Sequence, residues 1–251
     1  MGNISLFYLQ GVSLPELLLT FLGPGLVLFF TFYLLWSGRR KNHKIIKLAR
    51  ESLLEVFSNE FEDLVIDQLS SNGGILFPKY KRSPSLSFRD FRVVFALEER
   101  HLMLSVIISL FSGTNDYIAL EANPKKGKVP TTIQIIPRKE EGQIKKHQDL
   151  LFELDDVELG VKKLEDFFVM KSGSKRMGTY FLGEKNLLRI IHSTRNIIVR
   201  ISINSTDDPS IRVYARINPD LDLDKLYHLF IGLCERVNEV SEKKVMKKKY
   251  S

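Results

Sequence analysis

The residues best able to do chemistry, histidine and cysteine, are few and poorly spaced for a site. The chain contains five histidines and one cysteine: His43, His101, His147, His192, His228 and Cys234. No two histidines have HExxH or similar metal-ligand spacing, and a single cysteine excludes a disulfide framework and a cysteine-rich zinc site. We therefore expect His192 and His228 to make structural contacts on predicted helices, and Cys234 to pack as a small hydrophobic residue.

Two short stretches approach ligand-binding motifs but lack a required residue. Residues 178–185 read GTYFLGEK, and a phosphate-binding loop needs lysine directly after the second glycine, where Glu184 stands. The aspartates at 220, 222 and 224 begin like a calcium loop, but Lys225 stands where glycine is needed. Asp222 is instead expected to cap a helix. We expect no catalytic, metal or cofactor site, no small-molecule substrate and no enzymatic activity.

Basic residues are numerous and clustered. The 251 residues include 37 lysines and arginines against 30 acids, a net charge of +7 that makes an anionic partner plausible. Basic clusters with aromatic residues suit RNA, although each cluster alone is better explained as solvated surface. The candidate contacts with RNA or the ribosome are Lys79, Lys81, Arg82, Lys125, Lys126, Lys128, Lys175, Arg176, Arg200, Arg212, Tyr214 and Arg216.

The first 38 residues differ from the rest, because Glu16 is their only charged residue. Leu17–Trp36 is a run of twenty uncharged residues, long enough for a transmembrane helix. A signal peptide is disfavoured because no basic residue precedes the run. The positive-inside rule places the N-terminus outside and the remainder in the cytoplasm. The basic cluster after the run is a candidate contact for anionic lipid headgroups or the ribosome: Arg39, Arg40, Lys41, Lys44 and Lys47.

These features predict four parts of the chain. They are a short extracytoplasmic N-terminus at 1–16, a transmembrane helix at 17–36, a cytoplasmic domain at 39–240 and a basic tail at 241–251. Lys248 and Lys249 occupy the positions of a dilysine retrieval signal of endoplasmic-reticulum membrane proteins. The expected membrane is the endoplasmic reticulum in a eukaryote and the plasma membrane in an archaeon.

Hydrophobic periodicity predicts an α+β domain with a largely antiparallel sheet. Residues 44–57 have helical spacing, and 73–87 are expected to form a loop. A β-α-β-β-α order then occurs twice, which an internal duplication or convergent patterning would explain. The predicted elements are 91–97, 101–111, 117–122, 131–136 and 145–154, then 167–171, 184–194, 197–203, 211–217 and 222–240. Alternation places Arg200, Arg212, Tyr214 and Arg216 on one face of the sheet.

Three stretches resemble the calumin family, the coiled-coil subunit of the PAT (protein associated with translocon) complex. WSGRRKNHKIIKLARESLLEVF is similar to that family's exit from its membrane helix. FALEERHLMLSVIISLFSGTNDYIALEAN is similar to its strand, buried helix and strand. DFFVMKSGSKRM followed by NLLRIIHSTRNI is similar to its next strand and helix. The chain resembles a minimal version, without the family's acidic luminal region and long C-terminal coiled coil.

The resemblance implies a ribosome-associated role in multipass membrane-protein insertion or chaperoning. The cytoplasmic domain would contact ribosomal RNA or ribosomal protein, and the membrane helix would work with translocon or insertase subunits. Calcium binding is not carried over, because the acidic region is missing. The main alternative is a membrane-anchored scaffold whose basic domain binds anionic lipid and recruits proteins. A third hypothesis, a tethered enzyme acting on an anionic substrate, would require a deep pocket with converging histidines and acids.

Overall fold

The computed structural model describes residues 14–70, 72–81, 86–97, 116–126, 128–142, 153–218 and 221–249, without the side chains of 14–21, 34–35 and 244–249. Within these residues the chain is a mixture of helices and one antiparallel sheet, which confirms the predicted α+β class. The predicted helix at 101–111 and most of the one at 145–154 lie outside the described residues.

Helix α1 (Leu14–Val56) has two unlike halves. From Leu22 to Trp36 its large apolar side chains are exposed, most of them by more than half. Further along, a stripe that includes Ile46 and Leu53 is buried against the rest of the domain. Counted over the described residues alone, no helix combines the length and apolar character that a membrane crossing requires.

The described strands form one nine-stranded sheet in which every hydrogen-bonded neighbour is antiparallel. The strands are β1 (Phe61–Ser70), β2 (Gly73–Tyr80), β3 (Phe88–Ala96), β4 (Tyr117–Pro124), β5 (Ile133–Pro137), β6 (Asp155–Asp156), β7 (Phe168–Ser172), β8 (Ile198–Ile203) and β9 (Ile211–Arg216). Their spatial order is β1-β2-β3-β4-β9-β8-β5-β7-β6.

Four further α-helices and one 3-10 helix (Arg138–Glu140) complete the described fold. The α-helices are α2 (Lys162–Glu165), α3 (Lys175–Leu182), α4 (Lys185–Ser193) and α5 (Leu223–Lys249). Helix α5 packs on β4 and β9, while α1 packs on β1 and β2. Asp222 caps α5 as predicted, since its carboxylate accepts a hydrogen bond of 3.0 Å from the Lys225 amide. Helix α5 also runs through most of the predicted 241–251 tail.

The face of the sheet under the helices is apolar because strand residues alternate between the two faces. One cross-strand row on this face consists of consecutive register partners on seven strands, and all of them are buried: Leu76, Val93, Leu120, Val213, Ile201, Ile135 and Met170. Helix α5 covers this face with the rings of Tyr227 and Phe230, which contact the rings of Phe57 and Phe91 respectively.

The opposite face carries a polar row that is displaced by one residue from the apolar row, forward or backward according to the direction of each strand. Its members are also consecutive register partners: Arg92, Glu121, Arg212, Ser202, Gln134, Lys171 and Asp156. Arg92 Nε donates to Glu121 Oε2 at 2.7 Å, and Arg212 Nε lies 3.6 Å from the other oxygen of that carboxylate. Gln134 Nε2 donates to Ser202 Oγ at 2.7 Å. Neighbouring strands therefore pair most of one another's polar groups across the row, although the buried Arg212 Nε has no hydrogen-bond partner.

Two sequence predictions are wrong at the start of the domain. Residues 73–80 form strand β2 rather than part of a loop, and β1 (Phe61–Ser70) was not predicted. Gly73 suits a strand here because a Cβ at this position would lie 2.0 Å from the Phe95 carbonyl oxygen. In β1, register shifts at Phe61/Asp63 and Ile66/Gln68 break the alternation that identifies a strand.

The two proposed copies of the β-α-β-β-α unit do not have the same strand pairing. In the first, the leading strand β3 pairs with the second strand β4, whereas β4 and β5 are separated. In the second, the leading strand β7 pairs with β5, and β8 pairs with β9. The hairpin β8–β9 inserts between β4 and β5. The strand pairing is therefore not repeated between the two copies, and the internal duplication stays a prediction. The predicted strands are confirmed within a few residues: 91–97, 117–122, 131–136, 167–171, 197–203 and 211–217.

The register gives the sheet two ends. At the near end, Gly73, Ala96, Tyr117 and Arg216 are successive partners. At the far end, Ala122, Ile211, Ile203, Ile133 and Ser172 are successive partners. Helix α1 meets the sheet beside Gly74, whose Cβ position would be 3.4 Å from Ile46 Cδ1, and ends at the far end, where the Phe57 and Phe61 rings stack at 4.6 Å.

Removing the carboxylate of Glu121 is expected to destabilise the domain. Glu121→Ala leaves the Arg92 and Arg212 guanidinium groups without their shared acceptor, so the free energy of unfolding should fall by about 3 kcal/mol. The control is Glu62→Ala, which removes an exposed ion pair with Lys79 and should cost less than about 1 kcal/mol. Urea unfolding of the full chain in detergent measures both, and equal losses would contradict a structural role for the polar row.

Candidate anion-binding surface

Three chain segments that are distant in sequence meet at the far end of the sheet. Residues 125–128 follow β4, helix α3 follows β7, and α5 arrives there along the apolar face. Asn238 of α5 donates from Nδ2 to the Ser87 carbonyl at 2.5 Å, directly before β3 begins. The antiparallel register thus places residues 125–128 and helix α3 beside the second half of α5.

The segment 125–128 is fastened to one side of α5. The Lys126 amide donates to Asn238 Oδ1 at 3.1 Å, and Ser241 Oγ donates to the Lys128 carbonyl at 2.8 Å. Lys126 Nζ forms an ion pair with Glu242 at 3.0 Å. These contacts fix the backbone, while the side chains of Lys125 and Lys128 remain exposed.

Helix α3 is fastened to the other side of α5 by Arg236. Its Nη2 donates to the Tyr180 carbonyl at 2.6 Å, and its Nε donates to the Phe181 carbonyl at 3.1 Å. These acceptors are carbonyls near the C-terminus of α3, where a cation is favourable. Gly178 lets α3 approach β7, because a Cβ there would lie 2.6 Å from Ser172 Cβ.

We call the resulting surface the basic pole. Its cations are Lys125, Lys126, Lys128, Lys175, Arg176, Arg236 and Lys243. Two α5 carboxylates, Glu239 and Glu242, offset part of this charge. Hydrogen bonds from Lys243 and Arg236 lower the pKa of Glu239. Within the described ranges no carboxylate forms an ion pair with Lys125, Lys128, Lys175 or Arg176. Asp90, Asp207 and Asp208 line the same surface pocket as Lys128 and offset part of its charge, so the surface keeps a smaller positive excess.

The remaining lysine candidates lie elsewhere and are largely engaged. Lys79 forms an ion pair with Glu62 at 2.9 Å, and the hydrogen bond and the charge of Glu62 raise the pKa of Lys79. Lys81 Nζ donates to the Ser58 carbonyl. Arg82 lies outside the described residues. This cluster therefore offers less free charge than its sequence indicates.

Arg200, Arg212, Tyr214 and Arg216 do lie on the polar face, as alternation predicts. Arg212 pairs with Asp207 at 3.2 Å, in addition to Glu121, and Arg216 pairs with Glu140 at 3.2 Å. Arg200 Nε donates only to the neutral Gln134 amide at 2.9 Å, and burial lowers its pKa. These arginines are half-buried and structural, which favours the basic pole as the anion-binding surface.

The candidates in the basic cluster after the uncharged run are all exposed on α1: Arg39, Arg40, Lys41, Lys44 and Lys47. The Arg40 guanidinium lies 4.2 Å from the centroid of the Trp36 ring, and Lys47 is 3.9 Å from Glu51. Lys248 and Lys249 belong to the last turn of α5, where only the backbone is described. The structure therefore separates two basic surfaces, one on α1 and one around the second half of α5.

The predicted structural roles of histidine and cysteine agree with the described contacts. His192 Nε2 is 2.7 Å from Arg195 Nη1, and His228 lies 3.5 Å from Asp224. Cys234 is fully buried, and burial raises the pKa of its thiol well above the usual value, which disfavours the reactive thiolate. His101 and His147 lie outside the described residues.

Arg236 and Tyr180 belong to the basic pole but were not predicted. Arg236 stands alone between Glu235 and Val237 in the sequence, so no cluster marks it. Tyr180 lies inside the rejected GTYFLGEK stretch. Only the packing of α3 against α5 brings these two residues together.

No protein-family model matches this sequence, and no curated protein is significantly similar to it. The resemblance to the calumin family therefore stays a prediction, and the function has to be argued from the arrangement of the chain itself.

Neutralising Glu239 is expected to strengthen the basic pole. In Glu239→Gln, Arg236 and Lys243 lose the carboxylate that offsets their charges, so the full chain should elute from heparin–agarose at higher salt. The logarithmic salt dependence of binding should steepen by about one for each released cation. Glu62→Gln makes the same charge change on β1 and is the control; an equal rise in its elution salt would show that net charge alone is responsible.

Proposed function

We propose that this protein is a membrane-anchored docking module that holds the ribosome at the membrane and assists insertion of multipass membrane proteins. One observation carries the proposal. The exposed apolar half of α1 leaves the domain at the near end of the sheet, while the basic pole lies at the far end. The chain thus has two binding surfaces of opposite chemistry at opposite ends.

The anchor is proposed from the sequence and exposure of α1. Leu17–Trp36 contains no charged residue. The large apolar side chains exposed between them are Leu22, Leu26, Val27, Leu28, Phe29, Phe30, Phe32, Tyr33 and Trp36. A helix that is apolar on all sides is costly in water and stable in lipid. The following basic cluster then favours a cytoplasmic domain.

The distance from Trp36 to the far end of the sheet indicates that the basic pole binds a partner other than the proposed anchoring membrane. From Trp36 to Ile46, where α1 meets the sheet, ten residues of helix cover about 15 Å. Strand β3, which runs from the near end to the far end, adds about 27 Å. Since electrostatic screening acts over about 8–10 Å in physiological salt, headgroups at the Trp36 level exert little attraction on the pole. A large anionic partner in the cytoplasm fits this position.

Ribosomal RNA is a partner of this kind, and the resemblance to the calumin family supports a location at the translocon. The domain would contact ribosomal RNA or ribosomal protein through the basic pole. The N-terminal half of α1 would contact translocon or insertase subunits within the membrane. Lys248 and Lys249 would serve retrieval to the endoplasmic reticulum if the chain is eukaryotic.

A scaffold on anionic lipid is the second candidate. The observation that favours it is the group of exposed cations directly after the proposed anchor, on α1. Those residues would meet headgroups of the same membrane, where each nearby cation contributes about 1 kcal/mol. The basic pole would then recruit an acidic protein.

Membrane anchoring is tested by placing charge in the exposed half of α1. Leu26→Lys with Phe30→Lys should convert the full chain from resistant to extractable by alkaline carbonate, because two lysines in lipid are costly. Leu48→Lys is the matched control, since Leu48 is an equally exposed apolar residue in the domain half of α1. It should leave extraction unchanged. Full extraction of the unaltered chain would contradict the anchor.

Ribosome binding is tested by co-sedimentation of the full chain in detergent across a salt series. Saturable binding should weaken steeply with salt, and Lys125→Glu with Lys128→Glu should weaken it at least tenfold. Lys175→Glu with Arg176→Glu should act similarly. The control, Lys162→Glu with Lys163→Glu, changes net charge equally on α2, away from the pole.

Two results of this experiment would redirect the interpretation. Absence of binding at low salt would contradict the ribosome proposal. Binding of all variants to anionic liposomes, reduced only by substitutions at Arg39–Lys47, would support the lipid scaffold.

A further inference from the structure

We propose that the basic pole recognises single-stranded RNA and that Tyr180 provides the stacking surface for an unpaired base. This inference rests on the proposed function, because it names the chemical form of the anionic partner at the same surface. The observation behind it is an exposed aromatic ring surrounded by cations from two helices.

Tyr180 is held in place and yet accessible. Its side chain is 45% exposed. The phenol oxygen accepts a hydrogen bond of 3.2 Å from Lys243 Nζ, and the backbone carbonyl accepts one of 2.6 Å from Arg236 Nη2. A fixed ring loses little conformational freedom when a second ring stacks on it.

Cations lie around the Tyr180 ring. The Arg236 guanidinium lies over one face of the ring, 4.8 Å from its centroid, and Lys243 Nζ is 5.9 Å from the centroid. A base would therefore stack on the face opposite Arg236. Arg176 precedes Tyr180 by four residues on α3 and is therefore its neighbour on the helix surface. Glu239 pairs with Arg236 and Lys243 and is the one described carboxylate bonded to this group of cations. Phosphates can approach from the side of Lys175 and Arg176.

A single strand suits this arrangement better than a duplex. Bases in a duplex stack on one another and present no free ring face, so a duplex would use only the lysines and arginines. An unpaired base can stack on an exposed aromatic ring while its phosphates contact the adjacent cations. Loops of ribosomal RNA have this form, as does any single-stranded RNA near the pole.

The test compares two labelled RNAs of equal length, one single-stranded and one fully paired, by fluorescence anisotropy with the full chain in detergent. Tyr180→Ala should weaken binding of the single strand by about 5- to 150-fold, the range measured for loss of one stacked base. The affinity of the Tyr180→Ala variant for the duplex and for heparin should differ from that of the unaltered chain by less than twofold. Tyr180→Phe keeps the ring and should retain most of the binding, although it loses the hydrogen bond to Lys243.

A matched control is available elsewhere on the chain. Phe167 is 47% exposed, and the Arg195 guanidinium lies 4.8 Å from its ring centroid, but it stands beside the near-end residue Phe168. Phe167→Ala removes the same type of exposed ring and should leave RNA binding unchanged. If Tyr180→Ala and Tyr180→Phe unfold at the same temperature, the weaker RNA binding of Tyr180→Ala is caused by loss of the ring and not by loss of folding.

Two results would overturn the inference. One is equal weakening of single strand, duplex and heparin by Tyr180→Ala, which would give Tyr180 only a role in positioning Arg236 and Lys243. The other is unchanged single-strand binding in Tyr180→Ala. Salt-sensitive ribosome binding that still responds to Lys125 and Lys128 would then leave the proposed function intact. Absence of ribosome binding by the unaltered chain would overturn the proposed function, whereas the two labelled RNAs still decide the inference about Tyr180.

Discussion

Burial of the apolar stripe of helix α5 is the constraint on which the rest of the structure depends. Its members have 0–1% exposure: Leu226, Leu229, Phe230, Leu233, Cys234, Val237 and Val240. Each large member contributes about 1.5–3 kcal/mol by leaving water. The helix must lie along the sheet to bury this stripe, and it therefore links the near end with the far end. Its polar side, with Arg236, Asn238 and Ser241, then holds α3 and the segment 125–128 in place.

The two faces of the sheet contribute to the fold in different ways. The apolar row under α5 supplies most of the buried surface, whereas the polar row requires one specific alignment of the strands. A one-residue slip would exchange the two rows, placing Glu121 among the apolar residues and Leu120 among the arginines. The same register aligns the strand ends, so stability and site geometry depend on one arrangement.

Charge placement distinguishes the two binding surfaces. Along α1, Arg39, Arg40 and Lys41 lie within about 8 Å of Trp36, and Lys44 and Lys47 lie about 12 to 17 Å from it, whereas the basic pole lies about 40 Å away, several screening lengths. Carboxylates pair with Arg92, Arg212 and Arg216 of the polar face, whereas Arg200 bonds a neutral amide. None of the described carboxylates forms an ion pair with Lys125, Lys128, Lys175 or Arg176. In the proposed arrangement, a bulky anionic partner would reach the basic pole without meeting the membrane.

The sequence determined the parts of this protein that depend on local periodicity. It predicted six strands, the helices at 184–194 and 222–240, the cap at Asp222 and the division between an uncharged N-terminal run and a basic domain. These features follow from alternation, helical spacing and composition, which short segments carry by themselves. Strands β1 and β2 were missed because bulges, glycines and Pro78 obscure their alternation.

Only the tertiary structure decided the strand order and the site. The insertion of β8–β9 between β4 and β5 depends on long-range pairing that no local pattern specifies. The same pairing brings residues 125–128, 175–182 and 236–243 to one end of the domain, although more than a hundred residues separate the first from the last. Charge clusters are visible in a sequence, but which of them meet, and which are neutralised by carboxylates from other strands, is fixed by packing over distances that the sequence does not record.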